Sequence, residues 1–259
     1  MKKNICIVTL YDDYYKKFIP YIKENRKKYC KKHGYDYYLH EGSLDKNRRI
    51  YWSKLILLKN ILKEKKYNYI FWMDSDAIVM NFDIKLENII GEDNSEIVIT
   101  GDCNGFNIGN IIFKNTKNVI DMLQRALNGE ESKFPEQTAF LEEMKLVKYK
   151  NIKKVKQNIF NSYYHPFCGN LYKDGDFVLH FAGYGGILHN LRFLLIKKLY
   201  LNGRIIIRRA RIITINLFFI LNFVYIYKIL LKKKFNKKMI LMYIYYIFIL
   251  LLMNSYLIL

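Results

Sequence analysis

The feature that most constrains this chain is the stretch Asn68-Tyr69-Ile70-Phe71-Trp72-Met73-Asp74-Ser75-Asp76-Ala77, an apolar run that stops at two carboxylates one residue apart. A run this short and rich in aromatic and branched residues reads as a strand buried on both faces, as in the parallel sheets of α/β proteins. Ligands of open α/β sheets bind in the crevice beyond the carboxyl ends of the strands, so the pattern places Asp74 and Asp76 at the lip of a pocket. Side chains two apart on an extended segment point the same way, so both carboxylates face one ligand while Ser75 faces elsewhere. Two close anions repel, and a divalent cation relieves the repulsion. Hard oxygen ligands suit Mg²⁺ or Mn²⁺, ions commonly shared between carboxylates and substrate phosphates. An Asp-x-Asp after a strand also occurs as a helix cap or a solvated turn, so the spacing alone leaves both readings open.

The flanking chain supplies the context. Ile5 to Leu10 reads as a central strand with Thr9, Leu10 and Tyr11 at its carboxyl end. A helix is expected from Phe18, with Pro20 in its first turn and Gly34 as its stop. Tyr35 to Leu39 is a second strand by its aromatic content. Trp52, Leu55, Ile56, Leu58 and Leu62 have helical spacing over Tyr51 to Lys65, leading into the Asp-x-Asp strand. Further strands are expected at Glu96 to Thr100, Ile111 to Phe113, around Val155 and at Phe177 to Phe181. Asn104-Gly105 is a turn signal, and helices are expected at Val119 to Leu127 and Pro135 to Met144. This alternation is that of a doubly wound α/β sheet.

Charge divides the chain at about residue 198. The net charge is +20, all 23 acidic residues lie at or before Asp176, and residues 199–259 hold ten Lys or Arg and no acid. The expected organisation is an α/β domain over 1–198 and a basic, apolar helical tail over 199–259. In the tail the basic clusters separate long apolar runs, which disfavours nucleic acid and points to a membrane engaged by residues 204–259. Met239 to Leu259 carries no charge over 21 residues, and a helix of that length spans roughly 30 Å, the thickness of a bilayer core. Ile212 to Leu231 is flanked by positive charge at both ends, which favours an in-plane or re-entrant helix over a second span. The alternative is a buried helical pair in the core. The N-terminus has two lysines and a short apolar run, read as a first strand and not a signal peptide, so the main domain is expected on the cytoplasmic side of a membrane. Cys6, Cys30, Cys103 and Cys168 form no Cys-x-x-Cys pair and read as buried free thiols.

Several blocks, in order, resemble glycosyltransferase family 34, the galactosyl-, mannosyl- and xylosyltransferases of fungi and plants. They are Asn25 to Asp36 (NRKKYCKKHGYD), Tyr51-Trp52-Ser53-Lys54, Trp72 to Ala77, Asp102 to Gly109 (DCNGFNIG) with Asn115, Glu136-Gln137, Phe160-Asn161-Ser162-Tyr163, and Gly175 to Gly183 (GDFVLHFAG). Together they fall within about residues 5 to 185. The resemblance implies a GT-A fold, a nucleotide-sugar donor that is usually UDP-linked, a Mn²⁺ ion and transfer with retention at the anomeric carbon. It does not cover the tail. Eukaryotic members typically carry an N-terminal anchor and work in the Golgi, whereas the C-terminal apolar segment here points to a bacterial-type cytosolic face.

Carried onto these residues, the resemblance makes Asp74, Asp76 and His180 the metal ligands, with Ser75 between the carboxylates in the donor loop. Neutral imidazole suits Mn²⁺, and a core histidine bonded to backbone is the alternative for His180. Gly183 lets backbone approach the phosphates. Lys54 contacts the diphosphate or donor sugar, or is a solvated lysine. Thr9, Leu10 and Tyr11 lie where a GT-A fold holds the nucleoside. Asp102, Asn107 and Gln137 are candidates for the donor sugar's reactive face, and Glu136 is either beside them or a helix N-terminal carboxylate without chemistry. The acceptor implied is a glycan or lipid-linked saccharide beside the membrane. Two rival readings are a haloacid-dehalogenase-type phosphatase and a membrane-bound nucleotide-sugar or lipid-binding module without catalysis. The first places its Asp-x-Asp on the first strand with Thr or Val following, unlike Asp76-Ala77-Ile78.

Overall fold

A computed structural model describes residues 4–93, 95–130, 135–164, 170–182 and 196–197, all within one compact unit, Met1–Tyr200. β1 (Ile5–Tyr11) is buried from Ile5 to Thr9. α1 (Ile19–His33) has Pro20 in its first turn and ends at Gly34, whose φ of 72° is left-handed and whose N–H returns to the Cys30 carbonyl. Glycine takes that conformation without a Cβ penalty, which is why the helix stops there. β2 (Asp36–Glu41) follows, then α2 (Trp52–Lys63) and the fully buried β3 (Tyr69–Met73).

After the two carboxylates come β4 (Ala77–Val79) and the short α3 (Leu86–Ile90). β5 (Ile97–Asp102) and β6 (Gly105–Lys114) form a hairpin that turns at Cys103-Asn104, with Gly105 at φ 102°. α4 (Lys117–Ala126) is capped by Thr116, whose side chain accepts the Val119 N–H, an interaction of about 1 kcal/mol. α5 (Pro135–Leu146), β7 (Ile152–Lys154), α6 (Gln157–Phe160), β8 (Ser162–Tyr163) and β9 (Val178–His180) complete the described elements.

The main sheet has six strands in the order β2-β1-β3-β6-β5-β7, and a second sheet of three runs β4-β9-β8. β1 lies parallel to both β2 and β3, while β6 is antiparallel to both β3 and β5. One face is covered by α2, α4 and α5, where Trp52, Leu55, Leu58, Val119, Met122 and Phe140 pack on Val8, Ile70, Trp72 and Phe113. On the other face Tyr29 and Cys30 of α1, with Phe160 and Phe177, pack on Ile5, Ile7, Phe71, Met73 and Ile112. Burying each such side chain contributes about 1.5–3 kcal/mol, so helices on both faces hold β3 in the middle of the core.

This is a mixed α/β domain with a central sheet, and it differs from the sequence expectation in stated places. β3 is parallel to its neighbour on one side only, because the β5–β6 hairpin inserts an antiparallel strand. β6 begins at Gly105, six residues before the expected Ile111, because a strand that starts with Gly-Phe-Asn-Ile-Gly is held by its partners and carries little propensity of its own. Cys6 and Cys30 are buried free thiols, but Cys103 is disulfide-bonded, against the expectation of four free thiols. Among the described residues no helix is long and apolar enough to cross a membrane. The apolar runs of the tail, residues 212–231 and 239–259, lie outside the described residues, as do Gly183 and Cys168.

Candidate functional site

The chain leaves the sheet after Met73 and turns. The Asp74 N–H donates to the Gly109 carbonyl at 2.8 Å, and the Ala77 N–H closes back on the Asp74 carbonyl at 3.1 Å. Arg26, wholly buried on α1, holds the turn from below: its Nη2 donates to the carbonyls of Asp74 at 2.5 Å and Ala77 at 3.2 Å. Burial pulls the Arg26 pKa down, and Tyr37, Asp74 and Asp76 oppose that pull. Asn25 fixes the strand beyond the turn, exchanging bonds of 2.9 and 3.0 Å with the backbone of Val79. The chain is therefore not extended through Asp74 to Asp76. The two carboxylates converge because of the turn and of what β9 brings to it.

β9 pairs antiparallel with β4, setting Ala77 opposite His180, and the Phe181 N–H donates to the Asp76 carbonyl at 2.9 Å. His180 Nε2 then lies 3.1 Å from Asp76 Oδ1. Asp74, Asp76 and His180 each offer one ligand atom, all within 4.8 Å of one another. Asp74 has its two oxygens divided. Oδ1 accepts from Trp72 Nε1 at 2.7 Å and lies 3.0 Å from Lys54 Nζ, which leaves Oδ2 on the side of Gly109. A Cβ at position 109 would sit 2.6 Å from His180 Cε1 and 2.9 Å from both Asp74 Oδ2 and Asn107 Oδ1, so the missing side chain is what keeps this space open. Two carboxylates, an imidazole and a cradle without a Cβ fit a divalent cation that accepts mixed oxygen and nitrogen ligands.

Around this triad lies a second set of polar groups. Lys54, on the first turn of α2, is buried; its Nζ donates to the Ile108 carbonyl at 3.2 Å and lies 3.6 Å from Glu136 Oε1. Burial acts to lower the Lys54 pKa, and the carboxylates of Asp74 and Glu136 outweigh it, so the net direction is up. The Glu136 carboxyl is raised, first by burial and then by Asp74, with Lys54 acting against both. Gln137, next on α5, accepts the Ile108 N–H through Oε1 at 3.2 Å. Asn107 Oδ1 accepts the Gly109 N–H at 2.8 Å while its Nδ2 donates to Asp102 Oδ2 at 3.1 Å.

The structure thus brings together Asp74, Asp76, His180, Lys54, Glu136, Gln137, Asn107 and Asp102. Lys54 is not a solvated lysine, and Glu136 is a member of the buried network, not a bare helix carboxylate. Ser75, 6% exposed, is folded into the turn. Thr9, Leu10 and Tyr11 end the neighbouring strand, outside this set. The Thr9 side chain is fully buried with its hydroxyl unpartnered, Leu10 packs against the core cluster under α2, and the Tyr11 hydroxyl donates to Glu41 Oε2 at 2.8 Å. A side chain so buried leaves only the Thr9 backbone to meet a nucleoside. Residues of the site that sequence reasoning left without a role are Arg26, Trp72, Gly109, Asn161 and Tyr163. All of them lie in the quoted blocks, and except for Trp72, whose indole bonds Asp74 two residues on, each has a partner distant in sequence.

Comparisons with known proteins bear on the family and the fold. The family model for the galactosyl transferase GMA12/MNN10 family matches residues 2–94 and 89–185. The chain is 30% identical over 112 residues to the probable xyloglucan 6-xylosyltransferase 3 of Arabidopsis thaliana, covering 39% of this chain and 24% of that protein. It is 25% identical over 214 residues to an alpha-1,2-galactosyltransferase of Schizosaccharomyces pombe, covering 64% and 56%. It spans about a quarter to just over half the length of these relatives. A glycosyltransferase involved in the glycosylation of the major capsid of PBCV-1 shares the fold at a TM-score of 0.63 and 14% identity, over 75% of this chain and 98% of that one. With the family model matched across the whole α/β domain, the chain belongs to the galactosyl transferase GMA12/MNN10 family of glycosyltransferases.

Proposed function

We propose that this chain is a metal-dependent, retaining glycosyltransferase that moves a hexose or pentose from a UDP-linked sugar to a saccharide or lipid-linked glycan at a membrane. The observation that carries the proposal is the convergence of Asp74, Asp76 and His180 beside Gly109 at the carboxyl end of β3. The names of the relatives include galactosyl and xylosyl transfer, which sets the range of sugars.

Asp74, Asp76 and His180 would hold Mn²⁺ or Mg²⁺. When bound, the ion supplies charge stabilisation to a departing diphosphate. The protein's own part is positioning. Trp72 and Lys54 hold one oxygen of Asp74 so that the other faces the cleft, and Arg26 fixes the turn that carries both carboxylates. Lys54 and Glu136 place a compensated ion pair at the first turn of α5, where Gln137 fixes β6 through Ile108. Asp102 and Asn107, from the two strands of the hairpin, border the same space and are suited to sugar hydroxyls.

The membrane setting rests on the composition of residues 204–259, and with it the division into a catalytic domain over 1–198 and a tail. The Cys103 disulfide bears on which side of the membrane the domain occupies. Disulfides persist in oxidising compartments and are rare in the cytosol, so this bond favours the oxidising side over the cytoplasmic one suggested by the N-terminus. Alkylation of the native protein followed by mass spectrometry decides: Cys103 captured as a thiol restores the cytoplasmic side.

The test of the function is UDP release by the full-length protein from a panel of UDP-sugars, with Mn²⁺ and with chelator, in wild type and Asp76→Ala. Release from one donor that depends on Mn²⁺ and is lost in the variant is the expected result. Folded wild type that neither turns over nor binds UDP would overturn it.

A further inference from the structure

Three hydrogen bonds and one close contact of a ring nitrogen with a carboxylate run in one line from the β5–β6 hairpin to the ligand triad. The Tyr163 hydroxyl lies 2.5 Å from Asp102 Oδ2. Asn161 Nδ2 donates to the Tyr163 oxygen at 2.8 Å. Asn161 Oδ1 lies 2.5 Å from His180 Nδ1, and His180 Nε2 lies 3.1 Å from Asp76 Oδ1. Asn161 is fully buried and His180 is 3% exposed, so water is not available to substitute for these partners.

The line has a direction, and one end sets it. An ionised carboxylate only accepts hydrogen bonds, so the Tyr163 proton goes to Asp102. The Tyr163 oxygen must then accept, and the group of Asn161 facing it must be the amide NH₂. That orients the Asn161 carbonyl toward His180, and a carbonyl only accepts, so Nδ1 of His180 carries the proton. In neutral imidazole the lone pair is then on Nε2, the atom that faces Asp76 and Asp74. The opposite amide orientation would set the carbonyl oxygen of Asn161 against a tyrosine oxygen whose proton is already committed. The backbone of Asn161 is held too: its N–H donates to the Gln157 carbonyl at 2.7 Å, and its own carbonyl accepts from Gln157 Nε2 at 3.1 Å.

We propose that Asn161 is a positioning residue that fixes the ring orientation and tautomer of His180, with its own orientation set by Tyr163 and, through it, by Asp102. This rests on the metal reading of Asp74, Asp76 and His180. It adds that a residue on the rim of the candidate sugar-binding face controls which nitrogen of His180 is available as a ligand. Outer partners of ligating histidines commonly govern metal affinity in this way.

The experiment uses the full-length protein with ¹⁵N-labelled histidine. The Mg²⁺-loaded wild type should show His180 protonated on Nδ1 by long-range ¹H–¹⁵N correlation. Mn²⁺ affinity, read by titration calorimetry or by electron paramagnetic resonance of free Mn²⁺, should fall about ten- to a hundredfold in Asn161→Leu. It should fall less, but measurably, in Tyr163→Phe, which keeps the ring beside His180 and removes only the hydroxyl that orients Asn161. Asn161→Asp, which keeps an acceptor oxygen toward Nδ1, should stay within a few fold of wild type. A wild-type His180 protonated only on Nε2, or undiminished Mn²⁺ affinity in folded Asn161→Leu and Tyr163→Phe, overturns the proposal. If Asn161→Leu does not fold, the wild-type tautomer and Tyr163→Phe still decide. Wild type that binds no Mn²⁺ would sink the metal reading itself, a different result from wild type and variants binding equally.

Discussion

Lys54 Nζ stands 3.0 Å from Asp74 Oδ1 and 3.6 Å from Glu136 Oε1, so one buried cation joins a candidate ligand carboxylate to the first turn of α5. Removing one partner of a buried ion pair leaves the other charge uncompensated, typically at a cost of about 3–5 kcal/mol. Lys54→Met should lose about 3 kcal/mol in urea denaturation at neutral pH. Adding Glu136→Gln should recover about 1 kcal/mol, because it removes one of the two carboxylates left without a cation. A single variant as stable as wild type would mean that Lys54 does not compensate these carboxylates.

Gly109→Ala tests the cradle. Its Cβ would meet the His180 ring at 2.6 Å, so the ring or the β6 backbone must move. Overpacking costs about 1–3 kcal/mol, and the variant should remain folded. Its Mn²⁺ affinity should drop at least about tenfold in calorimetry, since a displaced ligating imidazole is lost as a donor. Unchanged affinity would place the cation away from Gly109.

Gln137→Ala removes the acceptor of the Ile108 N–H on the strand that borders the proposed sugar site. Turnover should fall by at least about tenfold, the usual scale for loss of an oriented group, while UDP affinity stays near wild type. Weakened UDP binding with unchanged turnover at saturation would move Gln137 to the nucleotide.

Glu96 offers a test remote from the site. Burial raises its pKa, but hydrogen bonds from Tyr149, Thr116, Asn151 and Asn118 outweigh burial and leave it below the ordinary value of 4.5. A carboxyl whose folded pKa is depressed contributes stability above its unfolded pKa and loses it as pH falls through the folded one. Glu96→Gln should therefore be less stable than wild type by about 1 kcal/mol at pH 7. The difference should close as pH falls below 4.5 toward the depressed folded value. A gap that persists at low pH would assign the effect to packing.

The elements legible in the sequence are those set by local chemistry. The strand ending at Met73, the helix bracketed by Pro20 and Gly34, and the Asn104-Gly105 turn each announce themselves within a few residues. β6 did not, since its first half is glycine and polar residues whose partners lie on β3 and β5. β9 falls within the strand expected at Phe177 to Phe181, but the short strands β4 and β8 had no signal of their own, because both exist only by pairing with β9. The same reason separates the site residues. Asp74 and Asp76 stood out by spacing. Lys54 and Glu136 were visible as candidates, but their pairing was not. The roles of Arg26, Asn161 and Tyr163 depend on partners 19 to 61 positions away, as in Arg26 to Asp74, Asn161 to His180 and Tyr163 to Asp102.

The pairing of β4 with β9 has a consequence for how the protein matures. Asp76 and His180 are 104 residues apart, and they meet only when a strand from the far end of the domain docks. Closing so long a loop is one of the slower entropic steps available to a chain of this size. A ligand that binds only the native state stabilises it by mass action, about 2.7 kcal/mol at a hundredfold excess over its dissociation constant. A cation held between those two residues would give none of that to a chain whose β9 is still loose. Its uptake would mark the moment at which folding is complete.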